Sequence, residues 1–127
     1  MKNFVLIFKY SSTFSTFLLK VRVCHSRDMS HHQLRLLSNM CPFLTNVSIY
    51  VDEDMGDLLT PLTVLEQLRE LKLLACNFYN DRVDALLLKS GHRLHTLHLE
   101  HIDELDMNAL CCIADTCINL EKLVFFR

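Results

Sequence analysis

The chain has 127 residues, of which half are hydrophobic and 22% are charged, and its net charge is -2. This length predicts a single domain with one core, and the composition excludes a disordered chain and a dedicated nucleic-acid-binding surface. Two glycines and two prolines are too few for the many tight turns of an all-β sandwich or barrel.

The N-terminal residues 1–17 carry a short apolar run, Phe4 to Phe8, which ends at Lys9. A signal peptide needs about 7 to 15 apolar residues and a membrane span needs about 20, so this run is too short for either. The next apolar residues, Phe17 to Leu19, follow a mostly polar stretch. We therefore treat residues 1–17 as a separate apolar segment.

From residue 18 onward, the pattern L-x-x-L-x-L recurs with some replacements by other apolar residues. Its copies begin at Leu18, Leu44, Leu68, Leu94 and Leu120, so they follow one another at a nearly constant interval. The second and third apolar residues of each copy are two apart, so both face the same side of a strand. The copies therefore predict parallel strands near residues 20–23, 46–49, 70–73, 96–99 and 122–125.

The first two connections between these strands contain signals for helices. In the first, Ser30 and Gln33 form a possible capping box before Leu34 and Leu37 at helical spacing. The second predicts a short helix. Its elements are Thr60 as the cap, Pro61 at the first helical position, and Leu62 and Leu65 facing inward.

The last two connections predict helices capped by aspartate. Asp81 precedes Val83, Leu86 and Leu87, and Gly91 is expected to end that helix in a left-handed conformation. Asp106 precedes the last predicted helix. Its apolar stripe is expected to be Leu110, Ile113, Ala114 and Cys117.

A repeat of this period and pattern resembles the leucine-rich repeat. The resemblance implies an α/β solenoid, with short parallel strands on a concave face and helices on the convex face. It covers residues 18–127, about four and a half repeats, and makes residues 1–17 a candidate cap for the first repeat. Because the sequence has no polar capping repeat, we also expect the chain to belong to a longer array or to need a partner at its ends.

The positions of the cysteines indicate which subtype of leucine-rich repeat the sequence resembles. Cys76 follows one copy of the pattern where this repeat class carries Asn or Cys, and Cys41 and Cys117 precede other copies by three residues. This is similar to the cysteine-containing repeats of F-box and leucine-rich-repeat proteins. The chain departs from the pattern at three positions, where Ser26, Asp52 and Ile102 replace Asn or Cys, and it has no recognisable F-box segment.

The resemblance implies a protein-binding module without catalytic activity or cofactor, whose partner could be a substrate of a ubiquitin ligase. The alternatives are a structural or extracellular leucine-rich-repeat protein and a small hydrolase or metal enzyme. Stacked repeats bind through the outward residues of their strands. The predicted register gives three outward rows across the strands. The candidate binding residues drawn from these rows are Arg22, Tyr50, Glu70, Lys72, Leu74, Thr96, His98, Glu100, Lys122, Val124 and Phe126.

Histidines occur at every third residue from His92 to His101, a spacing that suggests a metal site. Because a strand repeats every second residue, His95 and His98 are expected on opposite faces, so we predict no metal site there. We assign His25 to a loop beside the first strand and His31 and His32 to the first turn of a helix. The acidic run Asp52 to Asp54 is interpreted as a solvated turn.

The six cysteines form no CxxC pair and no recognisable disulfide framework. We therefore expect reduced thiols and a cytoplasmic or nuclear protein. Cys41, Cys76 and Cys117 are expected to pack in the core, and Cys24 and Cys112 to be the thiols most exposed to solvent.

Overall fold

A computed structural model describes residues 3–7, 22–27, 30–51 and 59–126, with the backbone alone for 3–7 and 25–27. The described residues form six strands, three α-helices and two 3₁₀ helices. The strands are β1 (Asn3–Ile7), β2 (Val23–Arg27), β3 (Asn46–Tyr50), β4 (Glu70–Leu74), β5 (Thr96–Glu100) and β6 (Lys122–Phe126). The α-helices are α1 (His31–Met40), α2 (Val83–Ser90) and α3 (Met107–Thr116), and the 3₁₀ helices are Thr60–Val64 and Gly91–Arg93.

The six described strands form one sheet in the order β1 to β6, so every strand lies beside its neighbour in sequence. β1 is antiparallel to β2, and the five strands from β2 to β6 are parallel. Parallel neighbours need a crossover connection of a dozen or more residues. Each of the four connections here contains an α-helix or a 3₁₀ helix, so the predicted α/β class is confirmed.

The start of each strand from β3 to β6 repeats the same hydrogen bonds. In every case two consecutive backbone N–H groups donate to one carbonyl of the preceding strand segment. Thr45 and Asn46 donate to Arg22, and the next two pairs donate to Thr45 and Arg69. Glu121 and Lys122 donate to His95. The same backbone geometry therefore recurs once for every strand added to the sheet.

The predicted position of the first strand is wrong by three residues. Cys24, rather than the expected Val21, pairs with Val47 in the sheet, so the first repeat is shorter than the one measured from Leu18. A shift by an odd number of residues exchanges the two faces of a strand. Accordingly Cys24, expected to face solvent, is fully buried, and Arg22 precedes the strand. His25 lies within β2 rather than in a loop.

Two of the predicted helix starts are confirmed. The Ser30 hydroxyl accepts from the Gln33 backbone N–H at 3.2 Å, and the Gln33 side chain accepts from the Ser30 N–H at 3.0 Å. Asp106 Oδ1 accepts from the Ala109 N–H at 2.9 Å. Each bond satisfies a backbone donor that the first turn of a helix leaves unpaired. In α3, Ala109 is buried and Ala114 is exposed, so the predicted stripe was wrong at Ala114.

The other two predicted caps are wrong. Thr60 is the first residue of its 3₁₀ helix rather than the cap, although Leu62 and Leu65 are fully buried as expected. The Asp81 carboxylate is buried and accepts from the Asn77 N–H at 2.6 Å, while Arg82, with φ 60°, precedes α2.

Gly91 ends α2 with φ -58°, which is right-handed, so the predicted left-handed end is wrong. A Cβ on Gly91 would lie 3.1 Å from Cys117 Sγ and 3.1 Å from the Thr116 carbonyl oxygen. Glycine therefore leaves room here for the close approach of Cys117 and Thr116, and its backbone freedom is not used.

The core is built from the inward residues of the strands and the apolar faces of the connections. Leu71, Leu73, Leu97 and Leu99 are each at most 1% exposed, and the buried residues form one cluster. Leu97 pairs with Leu71 on one side and with Leu123 on the other, as the repeat register predicted. Leu123 occupies the same repeat position in β6 but is 38% exposed.

We predict that Leu97→Ala lowers the free energy of unfolding by about 2 to 5 kcal/mol, because it removes a fully buried leucine between two packed neighbours. Leu123→Ala is the matched control, since it makes the same chemical change in the same register at a partly exposed position. Leu123→Ala should lower the free energy of unfolding by clearly less than Leu97→Ala does. Urea denaturation of both variants measures the difference, and equal losses would contradict the packing described for Leu97.

Candidate binding face

The residues that alternate with the buried ones along the strands form the other face of the sheet, here called the open face. Its members with described side chains are Val23, Asn46, Ser48, Tyr50, Glu70, Lys72, Leu74, Thr96, His98, Glu100, Lys122, Val124 and Phe126. All of them are partly buried or exposed.

Ten of the eleven predicted binding residues lie on the open face, and Arg22 does not. The Arg22 carbonyl accepts the backbone bonds from Thr45 and Asn46, which places Arg22 at the edge of the sheet where the strands begin. Its guanidinium carbon lies 5.3 Å from the centre of the Phe43 ring. The misplacement follows from the three-residue error in the first repeat.

A polar network occupies the middle of the open face around Glu100. The Oε1 atom of Glu100 accepts a hydrogen bond from His98 Nε2 at 2.6 Å and lies 3.5 Å from Lys72 Nζ. The His98 hydrogen bond, helped by the charge of Lys72, lowers the pKa of the Glu100 carboxyl below its ordinary value. The His98 ring lies 5.7 Å from the Phe126 ring, tilted by 55°. Three neighbouring strands thus hold one another's side chains in place.

A second set of hydrogen-bonded polar side chains lies near the residues at which β3 and β4 begin. Asn46 Nδ2 donates to Glu70 Oε2 at 2.5 Å, and Thr45 Oγ1 donates to Asn46 Oδ1 at 2.8 Å. Within the described ranges, no Lys, Arg or His forms an ion pair with Glu70; the pairs found there join Glu100 to Lys72 and to His98. Among these residues, the Glu70 carboxylate therefore has a neutral amide and no cation as its partner, whereas Lys72 has a carboxylate partner.

A depression of about 230 Å³ lies on the open face between these two polar groups. Its lining includes the short side chains of Ser48 and Thr96 and the longer ones of Glu70 and Lys72 on the strand between them. Val23 and His98 also line it. Sequence reasoning placed Asn46 and Ser48 on outward rows but did not select them as binding residues; the small size of Ser48 was the available signal.

A larger concavity, of about 420 Å³, is formed by six consecutive residues, His101 to Asp106. His101 and Glu104 have left-handed backbones, with φ 53° and 60°, and the Tyr79 hydroxyl donates to Asp106 Oδ1 at 3.1 Å. Because one turn supplies all of its wall, this concavity reflects the shape of the turn. It brings together no residues from different repeats, so we do not place the site there.

The histidine run does not converge. His98 lies on the open face, bonded to Glu100, whereas His92 and His101 are exposed at the two ends of the run. In the part of the chain that the structure describes, no group of three His, Cys, Asp or Glu residues could hold a metal ion. His31 and His32 lie in the first turn of α1, as predicted, and the run Asp52 to Asp54 falls outside the described residues.

The cysteines serve mainly in the core. Cys41, Cys76 and Cys117 are buried as predicted, but Cys24 is also buried, Cys112 is partly buried, and Cys111 is the exposed thiol. Burial raises the pKa of the Cys24 and Cys76 thiols to about 12. A thiol with such a pKa is almost entirely protonated at neutral pH and is a poor nucleophile.

Comparison with family models found no match to this chain, and neither a curated protein nor a solved structure matches it. Among the described residues, none of the helices has the length and apolar character needed to cross a membrane.

We predict that the Glu100 pKa rises toward its ordinary value in His98→Phe, which removes the hydrogen bond, and rises less in Lys72→Met. Because the Glu100 pKa is lower in the folded protein than in the unfolded chain, ionised Glu100 stabilises the fold at pH values above its ordinary pKa. This stabilisation is lost as pH falls through the lowered pKa of the folded protein. Carbon-13 NMR titration of the glutamate carboxyls measures both shifts. Lys89→Met on α2 is the control, and an unchanged Glu100 pKa in His98→Phe would contradict the network.

We predict that iodoacetamide at pH 8 labels Cys111 of the folded protein rapidly and leaves Cys24 and Cys76 unlabelled, because their thiols are buried and protonated. After unfolding without reductant, all six cysteines should react. Mass spectrometry of the labelled peptides gives both results. Fewer than six reactive groups in the unfolded chain would indicate a disulfide and refute the prediction.

Proposed function

We propose that this chain is a leucine-rich-repeat solenoid whose open face binds another protein. The repeat is supported by five parallel strands in sequence order and by Leu44, Leu68 and Leu94, which are buried at equivalent positions. Strand and helical connection alternate at intervals that lie within the range of about 20 to 29 residues typical of leucine-rich repeats. Stacked repeats of this kind bind partners with the exposed face of their sheet.

The observation that carries the binding function is the composition of the open face. It combines Tyr50, Leu74 and Phe126 with charged residues from three neighbouring strands. Phe126 is 55% exposed, and large aromatic and aliphatic side chains are frequent anchors of protein interfaces. His98 is held by a carboxylate, and no described hydroxyl or thiol hydrogen-bonds to it, so the face offers no activated nucleophile.

The buried cysteines support a more specific proposal. Cys41 and Cys117 each stand three residues before the first leucine of a repeat, Leu44 and Leu120, and Cys76 follows β4 at a buried position. This arrangement resembles the cysteine-containing repeats of F-box and leucine-rich-repeat proteins, so we propose a ubiquitination substrate as the partner. Free buried thiols also support a reducing compartment, the cytoplasm or nucleus.

The size of the face indicates how much the partner must contact. Five strands about 4.8 Å apart, each presenting three outward residues, span an area on the order of 200 to 300 Å². A stable interface buries about 800 Å² on each partner. The loops at the strand ends, or further repeats, must therefore contribute to binding.

We predict that the double variant Lys72→Glu/Phe126→Ser loses the partner captured by the wild-type chain in affinity purification. The change reverses a charge and removes an aromatic side chain on the open face. The matched control is Lys89→Glu/Leu88→Ser, which makes an equivalent pair of changes at exposed positions of α2, where Leu88 is 75% exposed.

Circular dichroism melts first establish that both double variants remain folded. Loss of the partner in the open-face variant and its retention in the α2 variant is the expected result. Retention in both, or loss only in the α2 variant, would place binding elsewhere. A ubiquitination substrate should also have a longer cellular half-life when the open-face variant replaces the wild-type chain.

A further inference from the structure

We propose that the depression on the open face receives one aromatic side chain of an extended partner segment, and that a basic residue two positions away in that segment pairs with Glu70. This inference rests on the proposed function and names the chemistry that the face recognises.

The depression is large enough for an aromatic side chain. A cavity of about 150 Å³ is known to accommodate benzene, and the depression has a volume of about 230 Å³. Val23 and the core residues Val47 and Leu71 contribute to its lining, which makes part of its surface apolar. Burial of a ring there would remove apolar surface of both molecules from water.

The groups at the rim favour an aromatic ring over an aliphatic side chain. Lys72 and His98 stand on neighbouring strands and pair with each other in the sheet register. Both contact Glu100 Oε1, with Lys72 Nζ at 3.5 Å and His98 Nε2 at 2.6 Å. A lysine ammonium beside an aromatic face contributes a cation–π attraction.

The charges at the rim favour a basic neighbour. Lys72 is already compensated by Glu100, with Nζ 3.5 Å from Oε1. Glu70, which also lines the depression, has the Asn46 amide as its partner and no cationic one among the described residues. Side chains two residues apart on an extended segment face the same way about 7 Å apart, which places a cation beside Glu70 when the ring fills the depression.

Three synthetic peptides test this inference by NMR titration of the full-length, isotope-labelled chain. The first is acetyl-Ser-Arg-Ser-Phe-Ser-Arg-Ser-amide, whose symmetry makes the direction of binding unimportant. The second replaces both arginines by glutamate, and the third replaces the phenylalanine by alanine. Because the protein has net charge -2, the titrations are run at physiological salt to suppress general attraction of basic peptides.

The expected result is that the first peptide shifts the amide signals of Ser48, Lys72 and Thr96 and binds more tightly than either of the others. Glu70→Gln should weaken its binding about two- to fivefold, the range of an exposed ion pair, and Glu66→Gln, on the connection before β4, should not. Ser48→Phe or Thr96→Phe, which fill the depression, should abolish the shifts while the remaining spectrum stays that of the folded protein.

Equal binding of the arginine and glutamate peptides, shifts confined to other surfaces, or no binding of any peptide would each overturn the inference. The proposed function is judged separately by the affinity purification with the open-face and α2 variants. Retention of a protein partner through the open face, together with failure of all three peptides, would therefore reject the aromatic and basic recognition alone.

Discussion

The parallel strands β3, β4 and β5 bury their inward residues against the strands on either side and against the helical connections. Leu97 has Leu71 and Leu123 as its register neighbours. Each of the four connections is long enough to cross over and bring the next strand alongside in parallel. The in-register stacking of these side chains is the constraint on which the other features depend. It fixes which residues are inward, and because strands alternate, it also fixes which residues are on the open face.

The register also determines which side chains are neighbours on the open face. Lys72, His98 and Phe126 come from three different strands but occupy adjacent or diagonal positions, so Glu100 can hold two of them and the His98 ring can approach Phe126. Such contacts restrict these side chains in the protein as it stands. In the proposed binding function, this restriction would reduce the conformational entropy that binding must overcome.

The sequence predicted the later repeats well because their leucines are spaced evenly. The strands from β3 onward begin at the predicted residue, and the buried positions of Leu71, Leu73, Leu97 and Leu99 follow from the pattern. The first strand was misplaced because Leu18, Val21 and Val23 match the apolar pattern, whereas the sheet pairs Cys24 with Val47. The real first repeat has Cys24 and Ser26 at the equivalent positions, and neither signals a core strand.

Other details depend on contacts within and between repeats that the apolar pattern does not contain. Gly91 matches a helix-ending signal, yet its role is to leave space for Cys117 of the following repeat. Asp81 matches a capping signal, yet its carboxylate binds the Asn77 backbone. The depression on the open face is lined by side chains from four strands, which no single copy of the pattern contains. These features became visible only when the register of all strands was known.

Nuclear Overhauser effects between leucine methyl groups test the in-register stacking most directly, on a sample with specifically labelled leucines. The account predicts cross-peaks from the Leu97 methyls to those of both Leu71 and Leu123, and from Leu99 to Leu73. Absence of the Leu71 and Leu123 cross-peaks in a folded sample, or a set of contacts that requires antiparallel neighbours, would contradict it.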